Sequence, residues 1–189
     1  QIIMSMESEG GSSKIALNDL PSATLADAVI SYNGIGEFSV LDLQKVLTGK
    51  KVSVAPSISP YSESMSGSST VKDFETMMQL TYLYFTAPRQ DDQAYQTLIS
   101  MLETQLAARD KNPKNAFNDS IQQTITCHNP RTLILDVNLL KKADQLRAIE
   151  IYKERFANPA DFFVTFIGNI NPNDEATRQI ICTWLGGLK

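Results

Sequence analysis

The chain reads as an α+β domain, a mostly antiparallel sheet covered by long helices, on three observations. Strand-like and helix-like runs alternate irregularly instead of as regular β-α units. Two strand-like runs, near Val52–Ile58 and Glu63–Gly67, are hairpin neighbours, while helix-like runs follow one another in pairs. No segment repeats at a period of roughly 20–50 residues, which sets solenoids and propellers aside.

Each element has its own signal. Ile2 to Glu7 mixes apolar and polar residues as a half-buried strand does, and Gly10-Gly11 ends it. Pro21 to Ile30 reads as a helix with Leu25, Ala28 and Val29 at its apolar positions. Phe38 to Leu43 opens a second helix, with Ser39 as cap, Asp42 three residues on, and Phe38 placed to staple onto Leu43. The two strands around Pro60 come next. Thr70 and Asp73 form another capping box before a helix striped by Val71, Phe74, Met78, Tyr82 and Phe85, which Pro88 stops. Asp92 to Arg109 is a longer helix striped by Tyr95, Leu98, Leu102 and Leu106. Asn112-Pro113, a cap followed by proline at the first helical position, starts a helix running to about Thr126. Residues 128–135 read as irregular or extended, and Lys142 to Phe156 as helix with Leu146, Ile149 and Tyr152 near its middle. Phe162 to Ile167 is the strongest strand, closed by Gly168, and Asn171-Pro172 is read as the cap of a last helix ending near Leu185.

Composition narrows the function classes. With 189 residues, 42% hydrophobic and 20% charged, the chain is an ordinary globular domain able to bury a core without disulfides. Its net charge is −4 and its 17 lysines and arginines are scattered, so it lacks the basic stripe that nucleic-acid binding needs. No apolar run approaches the ~20 residues of a membrane span. The two cysteines, Cys127 and Cys182, match no metal spacing; a disulfide would need an oxidising compartment, and two buried thiols are the favoured reading. The chain starts at Gln1 inside a strand, which reads as one domain over residues 1–189 excised from a larger protein.

Several strings resemble the homology domain of the pitrilysin/insulinase family of zinc metallopeptidases, and the resemblance covers most of the chain. The most specific is Ile151 to Pro159 followed by Phe163-Val164-Thr165-Phe166-Ile167-Gly168-Asn169. Trp184-Leu185-Gly186-Gly187-Leu188 is similar to the family's closing string, and Thr86-Ala87-Pro88-Arg89 to the junction before its acidic helix start. The family's opening strand is missing. Anchoring Tyr32-Asn33-Gly34 on the family's Phe-Asn-Gly places Leu25-Ala26-Asp27-Ala28-Val29 where a catalytic domain carries His-x-x-Glu-His. The two histidine positions are then Leu25 and Val29, and the general-base glutamate position is Ala28. The family's third ligand is a glutamate about 76 residues beyond the second histidine, which counts to Gln105, and its supporting glutamate seven residues earlier falls on Leu98.

Leu and Val offer zinc no lone pair, and a neutral Gln amide is a poor ligand beside imidazole or carboxylate. One histidine, His128, occurs in the whole chain, so no shift of alignment supplies a two-histidine site. The family's substrate edge, where a peptide adds as a strand, corresponds to Val54-Ala55-Pro56-Ser57. Pro56 has no N–H for such a ladder; equally, it guards an edge against aggregation.

Other candidates have plainer readings. His128 reads as a surface-loop histidine rather than a lone ligand or base. Asp91-Asp92 complement a helix start. Asn33-Gly34-Ile35-Gly36 reads as a turn rather than a phosphate cradle. The hydroxyls of Ser62–Ser69 have no base nearby in sequence. Met77 and Met78 read as core, Tyr84 lies off the main stripe and could face a partner domain, and Trp184 is read as packing the last helix onto the sheet.

The resemblance therefore implies a non-catalytic homology domain from the second half of a zinc metallopeptidase. It would form part of a peptide-enclosing chamber and of the interface with the catalytic half. It would hold no cofactor or metal itself, with zinc in the catalytic domain of the parent protein, and the fragment would be inactive. Its partners would be that catalytic half, or a catalytic partner chain, and the peptide in the shared chamber. Alternatives are a separate subunit of a two-chain processing peptidase, or a structural assembly protein on the same fold. A bacterial periplasm or cell envelope is the compartment the resemblance suggests.

Overall fold

The computed structural model describes residues 1–188. One four-stranded antiparallel sheet, in the order β2-β3-β1-β4, is built from β1 (Ile2–Glu9), β2 (Val52–Ile58), β3 (Ser62–Ser69) and β4 (Phe163–Gly168). β1 lies inside the sheet, paired from Ile2↔Ser69 to Glu9↔Ser62 on one side and from Ile2↔Gly168 to Glu7↔Phe163 on the other. Side chains alternate across a strand, so this register puts Ile2, Met4, Met6 and Ser8 beside Glu63, Met65, Gly67 and Ser69 on one face. Serines and Ile3, Glu7, Phe163 and Ile167 occupy the other.

Helices pack on the first face and on one another. They are α1 (Leu20–Asn33), α2 (Val40–Val46), α3 (Phe74–Thr86), α4 (Asp92–Asp110), α5 (Pro113–Ile125), α6 (Val137–Leu140), α7 (Gln145–Arg155) and α8 (Glu175–Trp184). α3 lies over the sheet, where Gly67 has no side chain; a Cβ there would stand 3.0 Å from Met77 Sδ and 3.1 Å from Met4 Cε. α1 packs against α7, α4 and β2, and it buries residues around most of its circumference: Leu20, Ala23, Leu25, Ala26, Val29, Ile30 and Asn33 among them. It is a core helix, with Asp27 its one charged residue.

Two polar devices hold this core. Pro88 cannot donate to the carbonyl of Tyr84, four residues back, and the buried Tyr152 hydroxyl of α7 donates to that oxygen at 3.1 Å instead. Tyr152 then stacks on Phe156 with ring centroids 4.5 Å apart, and Phe156 stacks on Phe162 at 5.4 Å, with Phe85 edge-on to both phenylalanines. At the β1–β3 end, Gly11 adopts φ 57°, and its amide donates to the buried Glu63 carboxylate at 2.6 Å. A Cβ at Gly11 would collide with the Ser59 carbonyl.

The caps read from sequence form at Ser39, which accepts from the Asp42 amide at 3.2 Å, and at Asn112, which accepts from the Lys114 amide at 3.0 Å. Four expectations need correction. Thr70 and Asp73 do bond reciprocally, but Asp73 Oδ2 also accepts the Lys51 amide at 3.0 Å, which ties this turn to β2, and α3 starts only at Phe74. The helix expected from Lys142 begins at Gln145, because Asp144 caps it by accepting the Arg147 amide at 2.8 Å. Asn171-Pro172 forms a turn, and α8 is capped by Asp174, which accepts the Thr177 amide at 3.0 Å. The strand expected at Phe162–Ile167 forms as β4, an edge strand with Phe163 and Ile167 in solvent. Both cysteines are exposed rather than buried, Cys127 in a left-handed turn just after α5 and Cys182 on the outer side of α8.

Candidate functional site

The segment that matters is the middle of α1. Leu25 is 3% exposed and Val29 0%, and both belong to the hydrophobic core. Ala28 is half-buried and packs against that core. Leu98, on α4, is buried, whereas Gln105, two turns further along the same helix, lies in solvent. The positions aligned with the family's ligands and base are thus three alkyl side chains against the core and one amide facing water. This donor set does not fit zinc, which takes imidazole, thiolate or carboxylate. Among the described residues no three His, Cys, Asp or Glu side chains come together as a metal-holding group.

Asp27, inside the same five-residue segment, went unnoticed in the sequence. Its Oδ2 accepts the Ile58 amide of β2 at 3.3 Å and its Oδ1 accepts the Ala28 amide at 2.7 Å. Burial raises its pKa above the usual aspartate value, against the lowering effect of the Ile58 and Ala28 amides and the Ser57 hydroxyl. The signal that could have found it is its solitude, one carboxylate on an otherwise uncharged, inward-facing helix.

The structure places Val54-Ala55-Pro56-Ser57 on β2, at the edge of the sheet. The Thr70 amide donates to the Lys51 carbonyl and the Ser59 amide to the Ser62 carbonyl, so the odd-numbered residues of β2 bond to β3. Val52, Val54, Pro56 and Ile58 therefore turn their backbone groups to the open edge. Pro56 interrupts no bond within the sheet and removes a donor only from that edge. Two residues on, the Ile58 donor is already taken by Asp27. Half of the edge is closed by these two means, and Val52 and Val54 keep outward-facing amides.

The remaining candidates are located plainly. His128 is exposed in the turn after α5. Asp91 caps α4 by accepting the Ala94 amide at 3.0 Å and pairs with Arg89 at 3.0 Å, while Asp92 begins the helix. Asn33 ends α1 and donates its side-chain Nδ2 to the Arg89 carbonyl at 3.0 Å, and the turn follows from Gly34 to Phe38. Met77 and Met78 are core. Tyr84 is buried and is no partner-facing residue, and Trp184 packs edge-on to Tyr82 of α3 rather than onto the sheet. Beside α1, Arg147 of α7 binds Glu154 at 2.8 Å, Asp19 at 3.0 Å and Glu150 at 3.1 Å, and these carboxylates raise its pKa further.

No family model matches the chain. It is 25% identical over 161 residues to a zinc protease PQQL-like protein of Arabidopsis thaliana, spanning 84% of this chain and 16% of that protein. It is 23% identical over 165 residues to the probable zinc protease PqqL of Escherichia coli K12, spanning 87% and 17% respectively. The chain thus covers about one sixth of the length of these curated relatives. The crystal structure of the periplasmic protease PqqL from E. coli superposes with TM-score 0.81 and 21% identity, over 100% of this chain and 20% of that one. The first half of PqqL, solved by itself, gives TM-score 0.73 and 12% identity, over 99% of this chain and 41% of that one. A peptidase M16 inactive domain from Pseudomonas fluorescens gives TM-score 0.74 and 13% identity, over 96% of this chain and 45% of that one. The fold shared with all three is the helix-covered antiparallel sheet described above.

Proposed function

We propose that this chain, a pitrilysin/insulinase-like domain, is a non-catalytic unit of a larger zinc protease. It supplies one wall of the chamber that encloses the peptide and a surface that meets the catalytic half. The observation that carries the reading is the middle of α1, where Leu25, Ala28 and Val29 stand in the positions of two ligands and a base and help to seal the core. Residues 1–189 form one such domain. Zinc and the cleavage step belong to another domain of the parent protein, and this one acts sterically, by limiting which peptides fit.

Three findings support its place in the parent. The curated relatives are roughly six times longer than the matched segment. The likeness to whole PqqL, at TM-score 0.81, exceeds that to its first half, at 0.73, which supports a counterpart in the second half. Pro56 and Asp27 leave β2 a poor cradle for a substrate strand. A periplasmic or envelope location is the compartment we assign, following PqqL.

Metal analysis of the purified 189-residue chain, with and without added zinc, tests the reading. We expect no stoichiometric zinc and no peptidase activity from the chain. About one zinc per chain, or chelator-sensitive cleavage by it, overturns the assignment.

A further inference from the structure

α5 is amphipathic, and it sits with its polar side against the body of the domain. Asn115, Asp119 and Gln123 face inward at four-residue spacing, and each is bonded: the Asn115 amide donates to the Arg109 carbonyl at 2.9 Å, Asp119 accepts from the Arg109 guanidinium, and the Gln123 amide donates to the Thr132 carbonyl at 3.2 Å. Two residues further on from each, roughly half a turn around the helix, stand Phe117, Ile121 and Ile125. They are 65%, 43% and 74% exposed, and α5 has no buried residue. The three inward bonds fix the rotation of the helix, so the apolar stripe is held outward.

We infer that this stripe is the face on which another domain of the same parent polypeptide docks. The inference rests on the proposal that the chain is one unit of a larger protease, and it names the residues of the contact. Asn118, Ser120, Gln122 and Thr124 flank the stripe without a charge, and the charged residues of α5 are Lys114 in its first turn and the inward Asp119. Interface centres are depleted of charge, whereas a helix lying on a lipid surface carries lysine or arginine along its polar side. A protein surface is therefore the occupant that fits. At these exposures the stripe leaves roughly 350–400 Å² of apolar surface in water, within the range of functional patches but about half of what each partner buries in a stable free complex. A second copy meeting the stripe from solution gains too little area. A domain tethered on the same chain binds at high effective concentration and needs no more.

The test is hydroxyl-radical footprinting of the full-length parent protein, with the oxidation rate of Phe117 compared between the native and the urea-unfolded states. The expected result is protection of about ten-fold or more, independent of protein concentration, as for a side chain in a desolvated interface core. Oxidation within about two-fold of the unfolded rate, as free exposure would give, overturns the inference. Protection that grows with concentration together with a dimer in sedimentation, or that needs added lipid vesicles, overturns it in favour of a second copy or a membrane. A double variant, Phe117→Asn with Ile125→Asn, is expected to raise Ile121 oxidation in the full-length protein by several-fold while leaving its zinc content unchanged. No rise in Ile121 oxidation overturns the inference. Because zinc content of the 189-residue chain and protection of Phe117 are read separately, failure of the non-catalytic reading and failure of this one are distinguishable.

Discussion

Writing a His-x-x-Glu-His motif into α1, as Leu25→His, Ala28→Glu and Val29→His, is expected to unfold the domain rather than create a metal site. Leu25 and Val29 are 3% and 0% exposed, so each substitution forfeits about 1.5–3 kcal/mol of apolar burial. Each imidazole also brings ring nitrogens into a core with no waiting partner, at about 1–3 kcal/mol apiece. Ala28→Glu sets a second carboxylate next to Asp27, whose pKa burial already raises. The sum is on the order of 5–12 kcal/mol, against a total stability of about 5–15 kcal/mol for a domain. Zinc does not offset the loss, because Gln105 in the third position lies in solvent. Circular dichroism melts of the triple variant, with and without zinc, should show either no cooperative transition or a Tm lowered by about 15 °C or more. The reasoning is refuted by a variant that melts within a few degrees of the natural chain and retains one zinc through gel filtration.

Three further outcomes follow from the structure. Burial keeps Asp27 protonated to higher pH in the folded chain than in the unfolded one, so the folded state binds more protons and stability falls as pH rises through and above about 3.9. Urea titrations at pH 4 and pH 7 should therefore show the natural chain losing stability relative to Asp27→Asn at the higher pH, and an unchanged difference refutes this. Tyr152→Phe orphans the Tyr84 carbonyl that Pro88 cannot serve, and should cost about 1–3 kcal/mol in denaturant unfolding. Gly11→Ala forces a Cβ into the Ser59 carbonyl at positive φ, and is expected to cost at least about 2 kcal/mol, whereas Gly49→Ala, with φ 83° but open space around it, should cost less.

Much of this fold was legible because its signals are local. Alternation of Ile2, Met4 and Met6, the capping box at Ser39 and the Asn-Pro start of α5 each depend on neighbours within four residues. What the sequence concealed depends on distant partners. Asp144 and Asp174 won the caps over nearer-looking starts through actual amide geometry. The Phe162–Ile167 run announces a strand but not its place in the sheet, and strand order puts it at the edge. Tyr84 leaves the apolar stripe of its own helix but is buried by α7, which supplies the hydroxyl for its carbonyl. At the candidate site, the apolar character of Leu25, Ala28 and Val29 was readable residue by residue. The role of Asp27 was not, because it exists only once β2 lies beside α1. The outward stripe of α5 was hidden for a related reason: periodicity shows that a helix has two faces and not which one meets the body.

The position of β1 has a consequence for synthesis. Its partner β3 ends at Ser69, but β4, which closes its other side, begins at Phe163. A ribosome adding ~5–20 residues per second takes roughly 5–20 s to make the intervening segment. For that interval the nascent sheet has no Phe163–Gly168 to lay along Ile2–Glu7, and the amides and carbonyls of Ile3, Ser5 and Glu7 stay unpaired. The domain cannot complete itself piecemeal as it emerges. Its sheet closes only after Gly168 has left the ribosome, and until then the open flank of its first strand is the surface a chaperone would have to shield.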